Sequence, residues 1–365
     1  MTNNPLFKPF SLGNLTLNNR IVMAPMTREF SPGGVPTEEV AAYYRRRAEG
    51  GTGLIITEGT TVNDPVATMG DDIPQFHSDL PLAGWKKTVD EVHAVGGKIM
   101  PQIWHTGMAR NPKKSPHSEL ASIGPSGLLK PGKQVTEPMS VTQIESVIQA
   151  FASAAADAHK LGFDGVEIHG AHGYLVDQFF WEGTNQRDDQ WGGNMAARGR
   201  FANEIVKTIR AATSPDFTII LRYSQWKQQD YTARLATTPQ LLEQFLQPLS
   251  DAGVDIFHCS TRRYWEPEFE GSDLNLAGWT KKLTGKPTIT VGSVGLNSDF
   301  FGAMAGQGAE LRSIDDLLAR LEKEEFDLVA VGRALLQDPE WANKIRDGQH
   351  DKVREFSAEA LASLT

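Results

Sequence analysis

Only one cysteine, Cys259, occurs in 365 residues, so the chain forms no internal disulfide and no thiolate metal cage. No apolar run approaches the ~20 residues that a membrane-spanning helix needs, and a membrane is not an expected partner. Positive charge is in deficit, with 36 Lys and Arg against 45 Asp and Glu for a formal charge of -9. Nucleic-acid phosphates require the opposite sign, so nucleic acid is not expected either. The opening Met1-Thr2-Asn3-Asn4-Pro5 has no basic patch leading into an apolar core, which places the expected protein in the cytoplasm. A Gly-x-Gly-x-x-Gly dinucleotide fingerprint is missing after the first apolar run. What remains is ordinary for a globular protein: 40% hydrophobic and 22% charged residues.

Short apolar, β-branched runs recur at 20–24, 53–58, 98–104, 165–169, 217–222, 254–259, 287–292 and 327–332. Nearly continuous apolar character reads as strands buried on both faces, as in parallel sheets. Helical spacing fills the intervals, most clearly over 37–48, 80–95, 141–161, 195–212, 238–252 and 313–324. Ser140-x-x-Gln143 resembles a capping box, and Thr238 precedes Pro239 at a first helical position. Glycines 162 and 253 close two of the helices just before the next strand. This repeat predicts an α/β fold, a (β/α)8 TIM barrel, read as one domain over 1–365. An open doubly wound sheet would share the alternation and is the structural competitor. A barrel needs ~250 residues, so the surplus is expected in long loops, chiefly over 106–137, then 223–235 and 262–274.

In a barrel, function gathers at the carboxyl ends of the strands. Gly292, Ser293 and Gly295 end the seventh run, and Gly332-Arg333 the eighth, where barrels commonly hold phosphate. Glycines let backbone N–H groups approach an anion, and arginine offers a charged fork. The bland alternative is a set of tight turns with Arg333 ion-paired nearby. Thr27, Gln102 and Arg222 bring a hydroxyl, an amide and a fixed cation to other strand ends, the mixture a flavin ring requires. Taken singly, each is an ordinary satisfied polar group. His169-x-x-His172-x-Tyr174 is the sharpest local pattern. No third ligand has convincing spacing, so zinc is discounted and no metal is expected. Two neutral imidazoles suit an oxygen that gains negative charge, and a tyrosine of pKa ~10 retains a proton to give. The competing reading is a histidine pair tied to backbone beside a packed tyrosine. Gly127-x-x-x-x-Gly132-Lys133 nearly spells a phosphate loop, but Gln134 replaces Ser/Thr and Pro131 interrupts it. Cys259 reads as buried packing.

These residues, in order, resemble the old yellow enzyme family of flavin-dependent ene-reductases. The similarity runs from Phe7-Lys8-Pro9-Phe10 to Gly332-Arg333-Ala334-Leu335-Leu336-Gln337-Asp338-Pro339. It is carried by Asn19-Arg20-Ile21-Val22-Met23-Ala24-Pro25-Met26-Thr27-Arg28, by Gln102-Ile103-Trp104-His105-Thr106-Gly107, and by the stretch from Gly162 to Leu175. Asn185-x-Arg187-x-Asp189-x-x-Gly192-Gly193 adds a further match. The resemblance implies non-covalent FMN, with Ala24, Pro25, Met26 and Thr27 along the ring. Gly59 and Gln102 would meet its pyrimidine part, Arg222 would sit by N1 and O2, and Gly292, Ser293, Gly332 and Arg333 would hold the phosphate. His169 and His172 would bind a carbonyl or nitro oxygen, Tyr174 would donate a proton, and Trp104 would shape the pocket. NAD(P)H would reduce the flavin and leave, and an α,β-unsaturated carbonyl or nitro compound would take hydride from N5 at the same site, giving ping-pong kinetics.

Three departures from the family pattern blur subgroup and substrate range: Trp181-Glu182 where Ser-Pro is usual, Met108 in place of arginine, and Ala196-Ala197 in place of Glu-Asn. Thr27, rather than cysteine, places the chain nearer the yeast and enterobacterial members. Alternatives remain: a flavin barrel acting on a nitro group or nitrate ester, a flavin-binding sensor or carrier without turnover, or a non-redox phosphate-binding barrel with Glu58 as base. The protein is expected as a monomer or homodimer.

Overall fold

The computed structural model describes residues 4–298, Gly302 and 308–365. Eight parallel strands follow one another around a closed barrel: Ile21–Met23, Leu54–Thr61, Ile99–Trp104, Gly165–His172, Thr218–Lys227, Ile256–Ser260, Thr288–Val291 and Leu328–Val331. The eighth pairs with the first, Val331 opposite Met23, and that closure rules out the open sheet. All eight coincide with the apolar runs of the sequence, though several extend further.

Alternating side chains sort into two layers. Ile21, Met23, Ile55, Ile99, Ile103, Ile168 and Leu221 face outward into the core shared with the helices. Val22, Leu54, Ile56, Met100, Ile220, Ile256 and Leu328 fill the lower interior. A two-stranded hairpin, Phe10–Leu12 with Leu15–Leu17, adds Phe10, Leu15 and Leu17 to that inner cluster and plugs the amino end. The same alternation turns Gln102, Glu167, Arg222 and His258 inward above the apolar layer, then Trp104, His169, Ser224 and Ser260 at the carboxyl rim.

The helix Val141–Leu161 keeps the limits its caps set: Ser140 and Gln143 exchange both capping-box bonds, and Gly162 closes it at φ +90°. Thr238 and Gly253 bound Pro239–Ala252 likewise. The helix expected over 195–212 is two, Met195–Arg198 and Arg200–Ala212. Between them the Gly199 N–H is shared by the carbonyls of Met195 and Ala196, a tightened turn that breaks the regular ladder. Of the three expected excursions, 223–235 starts later than expected because the fifth strand continues through Lys227, and 106–137 contains short 3-10 turns and a small hairpin, Leu128–Lys130 with Lys133–Gln134. Gly132 and Lys133 of the apparent phosphate loop belong to that exposed hairpin, and Lys133 opens a strand rather than a helix. The 262–274 excursion has no helix or strand. Among the described residues, no helix is long and apolar enough to cross a membrane.

Candidate active site

The fourth strand ends in a left-handed turn. His172 has φ +66° and Gly173 φ +81°, after which Tyr174 returns to extended backbone and starts the helix Leu175–Phe180. Few side chains accept such a φ; histidine is among those enriched there. Partners from three elements fix the turn. The His172 N–H donates to Ser224 Oγ at 2.9 Å, and the Gly173 N–H to Asp177 Oδ2 at 2.7 Å. The Gly173 carbonyl accepts from Gln178 at 2.7 Å and Gln229 at 3.1 Å. Asp177 is in turn paired with Lys227 at 2.6 Å, both side chains wholly shielded from solvent.

The turn brings the sharpest sequence motif together in space. The rings of His169 and His172 lie 5.2 Å apart and nearly perpendicular, and Tyr174 lies 4.9 Å from His169. Trp104 stands edge to face with Tyr174 at 4.8 Å and stacks toward His169 at 6.0 Å. Trp226 stacks on His172 at 4.6 Å, and Gln228 donates to the Tyr174 hydroxyl at 3.1 Å. Burial, reinforced by the Arg222 charge, holds both histidines well below the ordinary imidazole range, so both are neutral. Burial raises the Tyr174 phenol while the Gln228 bond opposes the shift.

Below this cluster, the buried Glu167 carboxylate takes Gln102 Nε2 on one oxygen at 2.8 Å and His258 Nδ1 on the other at 2.6 Å. Arg222 gives one N–H to Ser260 Oγ at 3.2 Å. No carboxylate approaches Arg222 within ion-pair distance among the described residues, and its buried Nε has no partner there. Gly59 packs under Trp104: a Cβ at 59 would sit 2.6 Å from Cε3 of that indole. Ala24 is held by the Val331 carbonyl at 3.0 Å, Pro25 and Met26 are half-buried, and Thr27 is exposed. The next two backbone N–H groups, of Arg28 and Glu29, donate to Glu58 Oε2 at 2.8 and 3.1 Å. Glu58, with its pKa pushed by burial to about 7, is thus tied to the loop that carries Thr27.

At the ends of the seventh and eighth strands, Arg333 reaches Ser293 Oγ at 3.4 Å and Ser298 Oγ at 3.1 Å. Gly292, at φ +143°, has no room for a Cβ beside the Thr261 carbonyl at 2.8 Å, whereas at Gly332 the nearest atom would be Met26 Sδ at 3.5 Å. All the residues singled out in the sequence therefore sit at carboxyl ends of strands or in the loops just beyond. Cys259, buried with its thiol pushed to about 12, packs against Thr280.

Residues 5–352 match the family described as NADH:flavin oxidoreductase / NADH oxidase. The chain belongs to that family. It is an old yellow enzyme-type, FMN-dependent NAD(P)H oxidoreductase. Similar proteins include an NADH oxidase of Thermoanaerobacter brockii, 34% identical over 97% of this chain and 52% of its own length. This chain thus spans about half of that relative. A probable NADH-dependent flavin oxidoreductase, YqiG, of Bacillus subtilis (strain 168) is 32% identical over 96% of this chain and 90% of its own. Among solved structures, morphinone reductase in complex with tetrahydroNAD superposes with a TM-score of 0.82 at 27% identity, covering 98% of this chain and 94% of that one.

The old yellow enzyme fold accounts for the unusual electrostatics of the upper barrel. A buried guanidinium without a carboxylate partner is costly, and an anionic or electron-rich ring edge is the kind of group that satisfies it. Arg222 therefore fits a flavin, as do the amide of Gln102 and the backbone beside Gly59. Sequence reasoning missed the supporting residues: Ser224, Lys227, Gln228 and Asp177 around the turn, and the Glu167–His258 pair below it. The only signal for the first three was a polar stretch after Arg222, in which Ser224 and Lys227 are nevertheless buried.

Proposed function

We propose that this chain reduces the activated C=C bond of α,β-unsaturated carbonyl or nitro compounds at the carboxyl rim of a single FMN-binding barrel domain. Ala24, Pro25, Met26, Thr27, Gly59, Gln102 and Arg222 would line the isoalloxazine, and Gly292, Ser293, Gly332 and Arg333 would hold the phosphate. FMN, when bound, supplies hydride that a nicotinamide nucleotide has provided. The observation that carries this reading is the convergence of two neutral imidazoles and a protonated phenol beside a buried arginine that has no carboxylate partner among the described residues.

The chain's own groups divide the work. His169 and His172 would donate N–H bonds to the substrate's carbonyl or nitro oxygen, drawing charge away from the double bond. Neutral donors keep that oxygen from being protonated outright, and such preorganised donors stabilise developing charge strongly. Tyr174 would give its phenolic proton to the α-carbon, with Gln228 steadying the oxygen left behind. Trp104 would form the side wall against which both substrate and nicotinamide pack. Glu58 is a poor candidate for a non-redox general base, because two backbone N–H groups already occupy one of its oxygens.

Purified protein should be yellow, and under nitrogen it should oxidise NADPH in step with loss of 2-cyclohexenone. Colourless protein that takes up no FMN would overturn the reading; a bound flavin without turnover would leave a carrier. In the same assay Tyr174→Phe should slow substrate reduction while flavin reduction by NADPH continues nearly unchanged. Equal slowing of both half-reactions would remove Tyr174 from the proton-donor role.

A further inference from the structure

We propose that Ser260 is a positioning residue that fixes the tautomer of His172, so that His169 and His172 offer N–H donors from opposite ring nitrogens, Nε2 and Nδ1, to one substrate oxygen. The inference deepens the reading above and rests on it for the identity of the oxygen.

The assignment follows from which groups can only donate. A backbone N–H has no acceptor character, and that of Ala171 points at His169 Nδ1 at 3.4 Å. His169 Nδ1 is therefore unprotonated, and a neutral His169 carries its proton on Nε2. A guanidinium likewise only donates, and Arg222 Nη2 gives its N–H to Ser260 Oγ at 3.2 Å. The Ser260 hydroxyl hydrogen then has one acceptor among its described partners, His172 Nε2 at 2.8 Å. With Nε2 receiving a hydrogen bond, a neutral His172 holds its own proton on Nδ1.

The two rings stand at 88° with centroids 5.2 Å apart, so different nitrogens of the two can face a common point. In the other tautomer His172 would donate to Ser260 and turn a lone pair toward the substrate. Two acceptors facing each other in a buried site repel, and one of the two oxygen ligands would be lost. Ser260 touches neither hydride nor proton; it relays a direction. The relay begins at Arg222, so the cation expected beside the flavin also orients the grip on oxygen. The position is built for the purpose: Ser260 ends the sixth strand opposite Ser224, whose own hydroxyl takes the His172 N–H.

The test uses holoenzyme labelled with 15N-histidine. Long-range proton–nitrogen correlation should find His169 protonated on Nε2 and His172 on Nδ1. In Ser260→Ala the His172 signals should shift toward the Nε2–H form, and in Ser260→Thr, which keeps the hydroxyl, the Nδ1–H form should return. Calorimetric titration with phenol gives a second readout, since a phenolate oxygen accepts only and so counts the donors. Its dissociation constant should rise about tenfold in Ser260→Ala, the scale of one lost hydrogen bond to a charged group. Finding His172 protonated on Nε2 in the unaltered protein would overturn the proposal, as would a Ser260→Ala variant with unchanged tautomer and affinity. If the tautomers are as assigned but His169→Ala leaves phenol affinity unchanged, the substrate-oxygen reading fails instead, and the proposal loses its oxygen.

Discussion

His169 and His172 are kept neutral by burial close to the Arg222 guanidinium, and this has a price in acid. Their folded pKa values lie well below the ordinary 6.5, so between the two values the unfolded chain binds protons that the folded chain refuses. Stability is therefore complete above pH 6.5 and is lost as pH falls below it, at a limiting slope of about 1.4 kcal/mol per pH unit for each histidine. Urea unfolding midpoints at pH 7.5 and 5.5 should show the loss, and His169→Gln should reduce it; an unchanged pH dependence in that variant would place the sensitivity elsewhere. At this scale the sequence was informative where chemistry is local. His169, His172 and Tyr174 fall within one strand end and could be read together. Ser260 and Gln228 could not be tied to them, because their bonds span 88 and 54 residues and arise only when the barrel closes.

The element that does most to shape the site is the turn from strand to helix at 172–174. Its fixity comes from Asp177 on the following helix and Lys227 on the neighbouring strand, which together hold the backbone on either side of the turn. Removing one partner strands the other charge in a dry interior. Asp177→Ala should cost about 3–5 kcal/mol in denaturant unfolding. Asp177→Leu combined with Lys227→Met should recover most of that stability and still turn over poorly, since the Gly173 N–H loses its acceptor. Full activity in the double variant would show that the turn needs no such support. Helix limits were readable where caps were strong, as at Val141–Leu161. The helix Leu175–Phe180 escaped notice because all six of its residues are buried, leaving no polar face to mark a period. The fifth strand runs past Arg222 to Lys227 although Ser224, Gln225 and Lys227 look like loop residues; each is buried and hydrogen-bonded, Gln225 to the Ala236 carbonyl and Lys227 to Asp177 on the neighbouring helix.

Across the whole molecule, the sealing hairpin and the proposed site lie at opposite ends of the barrel, the general division between stability and chemistry in this architecture. The amino end is sealed by the hairpin whose Leu17 is fully buried in the inner cluster. Leu17→Ala should lower unfolding free energy by about 2–5 kcal/mol while leaving KM for enone and nicotinamide nucleotide unchanged. A raised KM would mean the two ends communicate. The eight-strand repeat was legible because buried parallel strands leave continuous apolar runs, whereas the polar middle layer of Gln102, Glu167, Arg222 and His258 left no such pattern.

Gly59 and Trp104 face each other on adjacent strands with space for only one side chain between them: a Cβ at 59 would land 2.6 Å from the indole. Mutational searches of this pocket must therefore treat the two positions as one variable. Any residue larger than glycine at 59 demands a smaller neighbour at 104, and a library that randomises 59 alone samples mostly displaced indoles. Varied together, the pair opens pocket shapes that neither single change can reach, at the same wall against which Tyr174 is braced.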